Sequence, residues 1–301
     1  MTGSGKKRNW HEYNQKLVNE TLDLFVQRDI LESFKNLDTL NDKKVGRPFQ
    51  YASSVILMIC AVREYFYLPY RQAEGFANLL GGMWGAKIPS YSQICRRQKT
   101  LSVPLDISRL DGPVEIIFDS TGLKVQNRGE WIRQKYHVRR GFVKLHITCD
   151  REKHRITSVK VTDEHVHDTK EFEPLLVSAT ERVPVVTKIY ADSGYDSRRN
   201  FNLIEKELPL SDPVIKVRSS STGKSRGSYL RGRTAKEFIR DPKAWKINHS
   251  YGQRWQIETA ISTLKRKFGE FVRSLSFSAI LNEVITKCLT YNILSAYRSS
   301  V

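Results

Sequence analysis

The order of apolar and polar positions divides the 301-residue chain into a helical first part and a mixed second part. Residues 1–45 are polar around one amphipathic stretch, which predicts an N-terminal helical arm. Residues 46–108 carry three apolar patterns of helical period. Residues 112–301 predict three strands, a helix, a strand, a helix, a strand and a final helix. This alternation is typical of an α/β fold, and the hairpin among its strands predicts a mixed sheet.

The helical region, residues 46–108, has the features of a DNA-binding unit. Gly81 and Gly82 are expected to end its second helix, and Ser90 or Ser92 is expected to cap its third. Three helices of which the last is basic favour a helix-turn-helix-like unit, although a helical bundle with a solvated basic face would give the same pattern. The basic residues of the third helix are Arg96, Arg97 and Lys99.

Three carboxylates of the second part are candidates for one site. Asp119 and Asp192 each follow an apolar strand, and ligands of open α/β sheets gather where strands end. Glu258 lies in a predicted helix that can pack across that edge. Taken singly, each acid has a plain structural alternative, because either aspartate could cap a turn and Glu258 could be a surface glutamate.

The stretch "YGQRWQIETAISTLK" holds four polar residues at helical spacing. At about 100° per residue, Tyr251, Arg254, Glu258 and Lys265 fall on one narrow face of a helix, directly beside an apolar row. Such a helix can pack on a core and hold the polar row at the rim of a cleft. Arg254 and Glu258 also have the i, i+4 spacing of an intrahelical ion pair.

The conjunction of these features indicates a metal-dependent site. Three carboxylates without a thiol suit Mg²⁺, or Mn²⁺ as its substitute, because both ions prefer hard oxygen ligands. Two such ions about 4 Å apart can activate an attacking oxygen and stabilise a leaving one in phosphoryl transfer. The sequence therefore predicts that Asp119, Asp192 and Glu258 are both catalytic and metal-binding.

The histidines do not suggest a further metal site. His165 and His167 form an H-x-H pair, but no other ligand follows at the spacing of a zinc motif. His146 alternates with apolar neighbours and is expected to be structural or to lie near the cleft. The four cysteines are isolated, so neither a disulfide framework nor a thiolate zinc site is expected.

Composition points to a polyanionic partner. The chain has 50 Lys and Arg against 32 Asp and Glu, a net charge of +18. Nucleic acid is the expected partner, with a ribosomal or merely basic protein as the alternative. The apolar run Val55–Val62 is too short to span a bilayer, and the N-terminus has no apolar segment typical of a signal peptide, so no membrane association is expected.

Residues 214–240 interrupt the α/β pattern with many cations and one acid, Glu237. Serines and glycines lie between the cations, which predicts a flexible insertion suited to a phosphate backbone. A disordered solvated loop is the alternative. The basic residues are Lys216, Arg218, Lys224, Arg226, Arg231, Arg233, Lys236 and Arg240, of which Arg226, Arg231 and Arg233 are candidate DNA contacts.

These motifs resemble those of a known family. Tyr251, Arg254, Glu258 and Lys265 match the Y-(2)-R-(3)-E-(6)-K signature of insertion-sequence transposases. "FDSTG" and "YADSGYDS" resemble the surroundings of the first and second aspartates in the same proteins. The chain thus resembles a DDE transposase of the insertion sequence four and five superfamily, most like the insertion sequence five group. The resemblance runs from about Gly46 to the C-terminus.

The resemblance implies a ribonuclease-H-like core with Asp119, Asp192 and Glu258 as metal ligands. It implies that water attacks a phosphodiester at the element end and that the freed 3′-hydroxyl then attacks target DNA. Arg254 and Lys265 would reach DNA phosphates, and Tyr251 would stack or hydrogen-bond near the cleft.

The expected partners follow from the same resemblance. They are double-stranded DNA, as terminal inverted repeats and as target, and a second copy of the chain in the active complex. A cytoplasmic, nucleoid-associated protein of a prokaryotic host is expected.

Two other functions stay open at this point. A ribonuclease-H-like nuclease or resolvase would share the three acids but cut without strand transfer. A DNA-binding regulator derived from a transposase would be expected to have lost a carboxylate, and none is missing here. A haloacid dehalogenase phosphatase is discarded, because "DSTG" lacks a second aspartate two residues after Asp119.

Overall fold

The computed structural model divides the chain into two compact units, which are described separately. The first comprises residues 1–101 with 293–301, and the second residues 102–292. Nearly all of the expected N-terminal arm, residues 1–45, lies outside the described residues. The described residues are 9, 11–12, 15, 41–43, 45–84, 87–105, 112–126, 141–224 and 226–299.

Three helices in the first unit confirm the helical pattern of its sequence. They pack against one another, and Ile56 and Ile59 of the first are fully or almost fully buried. The second helix continues past Gly81 and Gly82, so the expectation that these glycines end it is wrong; a glycine inside a helix weakens it without having to stop it. The helices are α1 Ser53–Tyr65, α2 Tyr70–Trp84 and α3 Tyr91–Gln98.

The second unit is built on a six-stranded mixed sheet, which confirms the predicted α/β class and the ribonuclease-H-like core. The strand order is β3-β2-β1-β4-β5, and the short β6 pairs with the end of β1. The pairs β1–β2 and β2–β3 are antiparallel, while β4 pairs in parallel with β1 and β5. The strands are β1 Pro113–Val125, β2 Phe142–Asp150, β3 Ile156–Asp163, β4 Val185–Ala191, β5 Asp212–Ile215 and β6 Phe271–Val272.

The helices of the second unit pack around this sheet. Phe118 on β1 stacks on Phe172 of α4 at 4.5 Å between ring centroids, and Tyr195 packs edge-on against Phe118 at 5.8 Å. These rings belong to the buried core on that face of the sheet. The helices are α4 Asp168–Thr180, α5 Arg198–Glu207, α6 Tyr229–Arg240, α7 Pro242–Asn248 and α8 Trp255–Phe268. The last helix, α9 Phe277–Ser299, belongs to this unit as far as residue 292.

Strand β1 is longer than its apolar run predicts. It continues through Asp119 to Val125, so Asp119 lies within a strand, where its backbone is opposite Ile147 of β2. The polar and small residues after Asp119 remain extended because β2 supplies partners for them as far as Lys124. The expectation that the strand ends at Asp119 is therefore wrong, although its central place in the sheet is confirmed.

The stretch from Tyr251 to Lys265 is not one continuous α-helix. Tyr251–Arg254 forms a 3₁₀ turn, preceded by Ser250 in the left-handed region at φ 53°, and α8 begins at Trp255. The tighter 3₁₀ winding changes the angular relation of Tyr251 to the rest of the row. Arg254 and Glu258 nevertheless stay within hydrogen-bond distance of each other.

The expectation of a flexible basic insertion is wrong for its second half, Tyr229–Arg240. Within residues 214–240, α6 occupies Tyr229–Arg240, and the Ser228 side chain caps it by accepting from the backbone N–H of Arg231. Gly232, Thr234 and Ala235 are buried, so this helix has an inner face despite its many cations. Of the helices that the structure describes, none is long and apolar enough to cross a membrane.

Candidate active site

Side chains alternate between the two faces of the sheet along β1, so the neighbouring residues Asp119 and Ser120 lie on opposite faces. Asp119 lies on the face covered by α8, where Nη1 of Arg254 is 3.4 Å from its Oδ2. Ser120 lies on the face covered by α4, where its side chain hydrogen-bonds Asp168 at the start of that helix. One strand thus contributes to two charged clusters at once.

Asp192 is brought beside Asp119 by the parallel pairing of β1 and β4. The register pairs Ile117 with Tyr190, and each aspartate comes two residues after its paired position. Asp192 caps the 3₁₀ turn Ser193–Tyr195, and its Oδ1 accepts a hydrogen bond from the N–H of Gly194 at 2.8 Å.

Position 194 has no room for a larger residue. A Cβ atom on Gly194 would lie 2.9 Å from Oδ1 of Asp192 and 3.2 Å from Oδ2 of Asp168. Both distances are shorter than ordinary van der Waals contact, so glycine allows the turn to pass close to the two carboxylates. Asp168 is thereby placed next to the second candidate ligand.

Arg254 joins the first and third carboxylates. Its Nη2 donates to Oε1 of Glu258 at 2.5 Å, and its Nη1 lies near Asp119. The i, i+4 pair expected between Arg254 and Glu258 is therefore present, and the same guanidinium also reaches across to the sheet. Glu258 remains 57% exposed, so this side of the cluster faces solvent.

The three acids lie close enough for their charges to affect one another. Burial raises the pKa of Asp119, and the charges of Asp192 and Glu258 raise it further, against the opposing effects of the Ser120 N–H and Arg254. Burial disfavours the charged form of Arg254, yet the surrounding acidic groups, Asp119 first, raise the pKa of its guanidinium. The negative charges around Arg254 thus outweigh the cost of burying its cation.

An open cleft of about 540 Å³ adjoins the cluster. Asp119 and Glu258 line it, and so does Lys265, which lies two turns further along α8 than Glu258. A cleft lined by carboxylates and cations on one strand and one helix can hold a charged group of a large substrate. Its lining residues are Asp119, Ser120, Thr121, Glu258, Ile261, Ser262, Lys265, Arg266 and Glu270.

Behind the site lies a second charged cluster that the sequence did not predict. Nζ of Lys144 is 2.8 Å from Oδ1 of Asp168, and Nδ1 of the fully buried His146 is 3.2 Å from the same atom. Burial opposes the charged form of Asp168, but hydrogen bonds from His146, Lys144 and Ser120 hold its pKa well below the ordinary value. His146 also lies 2.9 Å from Oγ1 of Thr162, so of the two expected positions it occupies the structural one.

The sequence contains only part of the pattern that would have predicted this cluster. Lys144 and His146 have the i, i+2 spacing of side chains on one face of a strand. The position of Asp168 above them depends on how α4 packs on β2 and β3, which no local pattern encodes.

The donor set of the site fits divalent metal ions. Asp119, Asp192 and Glu258 offer carboxylate oxygens, the ligands that Mg²⁺ and Mn²⁺ prefer. The guanidinium of Arg254 already occupies a cationic position between two of them. Asp119 would hold an ion together with either partner, because all three side chains offer carboxylate oxygens.

A second group of possible metal ligands is a weaker candidate for a metal site. Among the residues that the structure describes, only Asp163, Glu164 and His165 bring three possible ligand atoms within 4.8 Å of one another. The three carboxylates around Arg254 are therefore spread more widely. Exposed acidic groups are common without an ion, and His165 is 83% exposed, so we assign no metal site to this group.

The other residues expected near DNA fall into different environments. The ring of Tyr251 packs 5.5 Å from that of Trp245, and burial raises its pKa to about 12. Arg97 hydrogen-bonds the Ser53 hydroxyl at 3.0 Å and lies over the ring of Phe49. Exposed positions are occupied by Arg96, Lys99, Arg226 and Arg233.

Arg231 is the expected DNA contact whose environment differs most from the expectation. Its Nε donates to Oδ1 of Asp196 at 2.6 Å, and its Nη2 donates to Oδ2 of Asp196 at 2.8 Å. The Asp196 side chain is fully buried. The Arg231 guanidinium is thus engaged within the fold, and its contact with DNA stays a prediction.

Comparison with known proteins gives two family matches. A family model described as "Transposase DDE domain" matches residues 111–293, more than half of the chain. A second model with the same description matches residues 19–128. Asp119, Asp192 and Glu258 all lie within the first of these ranges.

One solved structure among the matches is the cryoEM structure of a simian T-cell lymphotropic virus intasome in complex with PP2A regulatory subunit B56 gamma. It shares 12% sequence identity with this chain, covers 73% of this chain and 70% of its own, and has a TM-score of 0.24. At these values the likeness adds nothing to what the sheet topology shows.

Proposed function

Because the chain belongs to the DDE transposase family, whose members are enzymes that cleave DNA and transfer its strands, we propose that it is the transposase of an insertion sequence. We place it in the insertion sequence four and five superfamily, most like the insertion sequence five group. Its substrates would be the terminal inverted repeats of the element and the target DNA. The observation that carries the proposal is the convergence of Asp119, Asp192 and Glu258 around Arg254.

The roles of the residues follow from their positions. Asp119, Asp192 and Glu258 would hold two Mg²⁺ ions, which supply activation of the attacking oxygen and stabilisation of the leaving one. Arg254 fixes the orientation of Glu258 and neutralises the cluster before DNA enters. Lys265 extends into the cleft from α8, where its ammonium group can contact a DNA phosphate.

Two reactions would follow one another at this site. Hydrolysis of a phosphodiester at the element end forms a bond between phosphorus and the water oxygen, and it frees a 3′-hydroxyl. In strand transfer that 3′ oxygen bonds to a target phosphorus, and the former 3′ oxygen of the target leaves. Both reactions are displacements at phosphorus and need no redox partner.

Recognition of the element ends is proposed for the first unit. Arg96 and Lys99 are exposed on and just after α3, whereas Arg97 is held by Tyr51, Ser53 and the Phe49 ring. Arg96 and Lys99 are therefore the better candidates for direct DNA contact. We also propose that two copies of the chain act together, one at each element end.

The proposal is tested with full-length protein and duplexes that carry the element ends. We expect cleavage with Mg²⁺ or Mn²⁺, none in excess chelator, and strand transfer when pre-cleaved ends are supplied. Asp119→Ala, Asp192→Ala and Glu258→Ala should each lower cleavage by at least about 1000-fold, because loss of several kcal/mol of transition-state stabilisation has that effect.

The same assay separates the alternatives. Cleavage without strand transfer would favour a nuclease or resolvase, and end binding without any cleavage would favour a regulator. Undiminished cleavage in chelator would refute the role of metal ions. Binding of the end duplex by the alanine variants is the control, since it shows that each variant is folded.

A further inference from the structure

The basic segment before α8 is attached to the turn that carries Asp192. Asp196, four residues after Asp192, accepts two hydrogen bonds from Arg231. It also accepts one from the N–H of Arg218 at 3.0 Å and one from the Ser221 hydroxyl at 3.1 Å. Within the described part of the chain, the hydrogen bonds of this buried carboxylate go to Arg218, Ser221 and Arg231. Such a satisfied ion pair holds the start of α6 in a fixed position relative to Asp192.

A second attachment links the same segment to the turn that carries Arg254. Trp245 of α7 is almost completely buried, and its ring lies 5.2 Å from that of Phe238 on α6 and 5.5 Å from that of Tyr251. The aromatic contacts connect α6, α7 and the 3₁₀ turn. Residues 218–224 and 226–251 therefore form a docked element, which is attached both to the turn that carries Asp192 and to the turn that carries Arg254.

The outer face of this docked element is cationic. Arg233, Lys236 and Arg240, which we call the α6 basic patch, are all exposed. At about 100° per residue they fall within an arc of about 60°. None of the three pairs with a carboxylate in the described part of the chain. The neighbouring acid, Glu237, has its Oε1 3.0 Å from Nε2 of His249.

We propose that the α6 basic patch is a docking surface for the phosphate backbone of duplex DNA that is bound at the catalytic cluster. This inference rests on the proposed function for the presence of DNA, and it adds the surface that holds the duplex. Three unpaired cations on a helix gain little for folding, because exposed ion pairs and single charges contribute little to stability. They are suited to neutralise phosphates with the release of counterions.

The dimensions of the patch agree with this partner. From Arg233 to Arg240 the helix rises about 10.5 Å, at about 1.5 Å per residue. One DNA strand carries a phosphate about every 3.4 Å of helix axis, so the patch spans about three phosphates. The attachments to Asp196 and Tyr251 keep this charge in place without a folding step on binding. Lys243 and Lys246 of α7, also exposed, lie close in sequence and add to the positive charge of the element.

The test is a salt titration of DNA binding by the full-length protein. Wild type and the variant Arg233→Gln/Lys236→Gln/Arg240→Gln are titrated with a fluorescein-labelled end duplex at several salt concentrations. Glutamine keeps the helix propensity and removes the charge. Loss of three phosphate contacts should lower the slope of log affinity against log salt by about 2.7. The affinity lost between 50 and 200 mM salt should then be about 40-fold smaller than in wild type.

The matched control removes three exposed lysines elsewhere in the same unit, in Lys160→Gln/Lys170→Gln/Lys206→Gln. This control should keep the wild-type slope, and both variants should melt at the wild-type temperature. Arg233→Gln alone should lower the slope by about 0.9, which keeps the test valid if the triple variant is unstable.

An unchanged slope in the patch variants, or an equal fall in the control, would overturn the inference. If wild type still cuts element ends in that case, the proposed function survives. If wild type binds no duplex DNA, both fail together.

Discussion

The second unit contains two aspartate–arginine clusters that differ in the exposure of their side chains and in their hydrogen bonds. In the cluster at the cleft, Arg254 contacts Asp119 and Glu258, and its side chain and that of Glu258 are 21% and 57% exposed. In the cluster between α6 and the Asp192 turn, Arg231 forms two hydrogen bonds to Asp196, whose side chain is fully buried. The same pair of functional groups thus occurs once in an open and once in a closed form.

This difference in exposure and hydrogen bonding indicates which of the two ion pairs can exchange its partner. Asp196 is satisfied by donors from three residues, so any replacement would have to supply several bonds at once. Asp119 has one backbone donor and a 3.4 Å contact with Arg254, and it is repelled by two further carboxylates. We therefore expect the open cluster to accept another cation, whereas the closed one holds the chain in place.

The largest effect on stability is expected from Arg231→Gln. Removal of one partner of a buried ion pair leaves an uncompensated charge, which lowers the free energy of unfolding by about 3–5 kcal/mol. Chemical denaturation of the variant measures this loss. Arg233→Gln is a close control, because it is the same substitution on the same helix at an exposed position and should change stability by less than about 0.5 kcal/mol. Equal losses would contradict the distinction between the two arginines.

Acid should weaken the closed cluster. Burial opposes the charged form of Asp196, but the hydrogen bond from Arg231 and the other donors lower its pKa in the folded state. The contribution is therefore complete above the unfolded-state pKa, about 3.9, and is lost as the pH falls through the folded-state value. Denaturation curves should show this loss below about pH 4 in wild type. In Arg231→Gln this part of the dependence should be smaller, and an identical acid dependence would contradict the role of the pair.

The sequence predicted the open cluster better than the closed one. Glu258 and Arg254 are four residues apart, and Asp119 and Asp192 follow apolar runs, so local patterns were sufficient to group them. Arg231 and Asp196 are 35 residues apart, and no periodicity connects them. The many cations of residues 214–240 suggested one flexible segment, because sequence alone does not distinguish an arginine that meets a buried carboxylate from one that meets solvent.

The secondary structure, too, was predicted only as far as local patterns determine it. Apolar runs predicted the centres of the strands, but the end of β1 depends on pairing with β2 rather than on its own residues. The row from Tyr251 to Lys265 satisfied helical spacing, yet Ser250 adopts a left-handed conformation and the first turn is 3₁₀. Boundaries of this kind are decided by tertiary contacts, which act after the local preferences.

An intermediate effect is expected from Asp168→Asn, in the cluster behind the site. Asp168 contacts neither the cleft nor Arg254, but it binds Ser120 next to Asp119 and approaches Gly194 next to Asp192. We expect it to position both aspartates, so that its loss lowers cleavage by about 10–100-fold, as for other groups that orient metal ligands. The Mn²⁺ concentration at half-maximal cleavage should rise as well, a change that a general loss of stability would not produce.

Glu173→Gln provides the comparison for this variant. Glu173 lies on the same helix and pairs with Arg199 at the surface, where 42% of its side chain is exposed. This variant should keep wild-type cleavage and the wild-type Mn²⁺ dependence. If both substitutions had the same effect, Asp168 would have no positioning role beyond its place in α4.

A much smaller loss of stability than in Arg231→Gln is expected from Arg254→Gln, because its ion pairs are partly exposed and screened by solvent. The free energy of unfolding should change by less than about 1 kcal/mol. Without the guanidinium, Asp119 and Glu258 repel each other more strongly, so Mn²⁺ should raise the melting temperature of this variant more than that of wild type. Lys265→Gln is the control, since it removes one positive charge from the same cleft and pairs with no carboxylate in the described residues. It should respond to Mn²⁺ as wild type does. A loss of stability in Arg254→Gln as large as that in Arg231→Gln would mean that both clusters are structural, and the cation at Asp119 would then not be exchangeable.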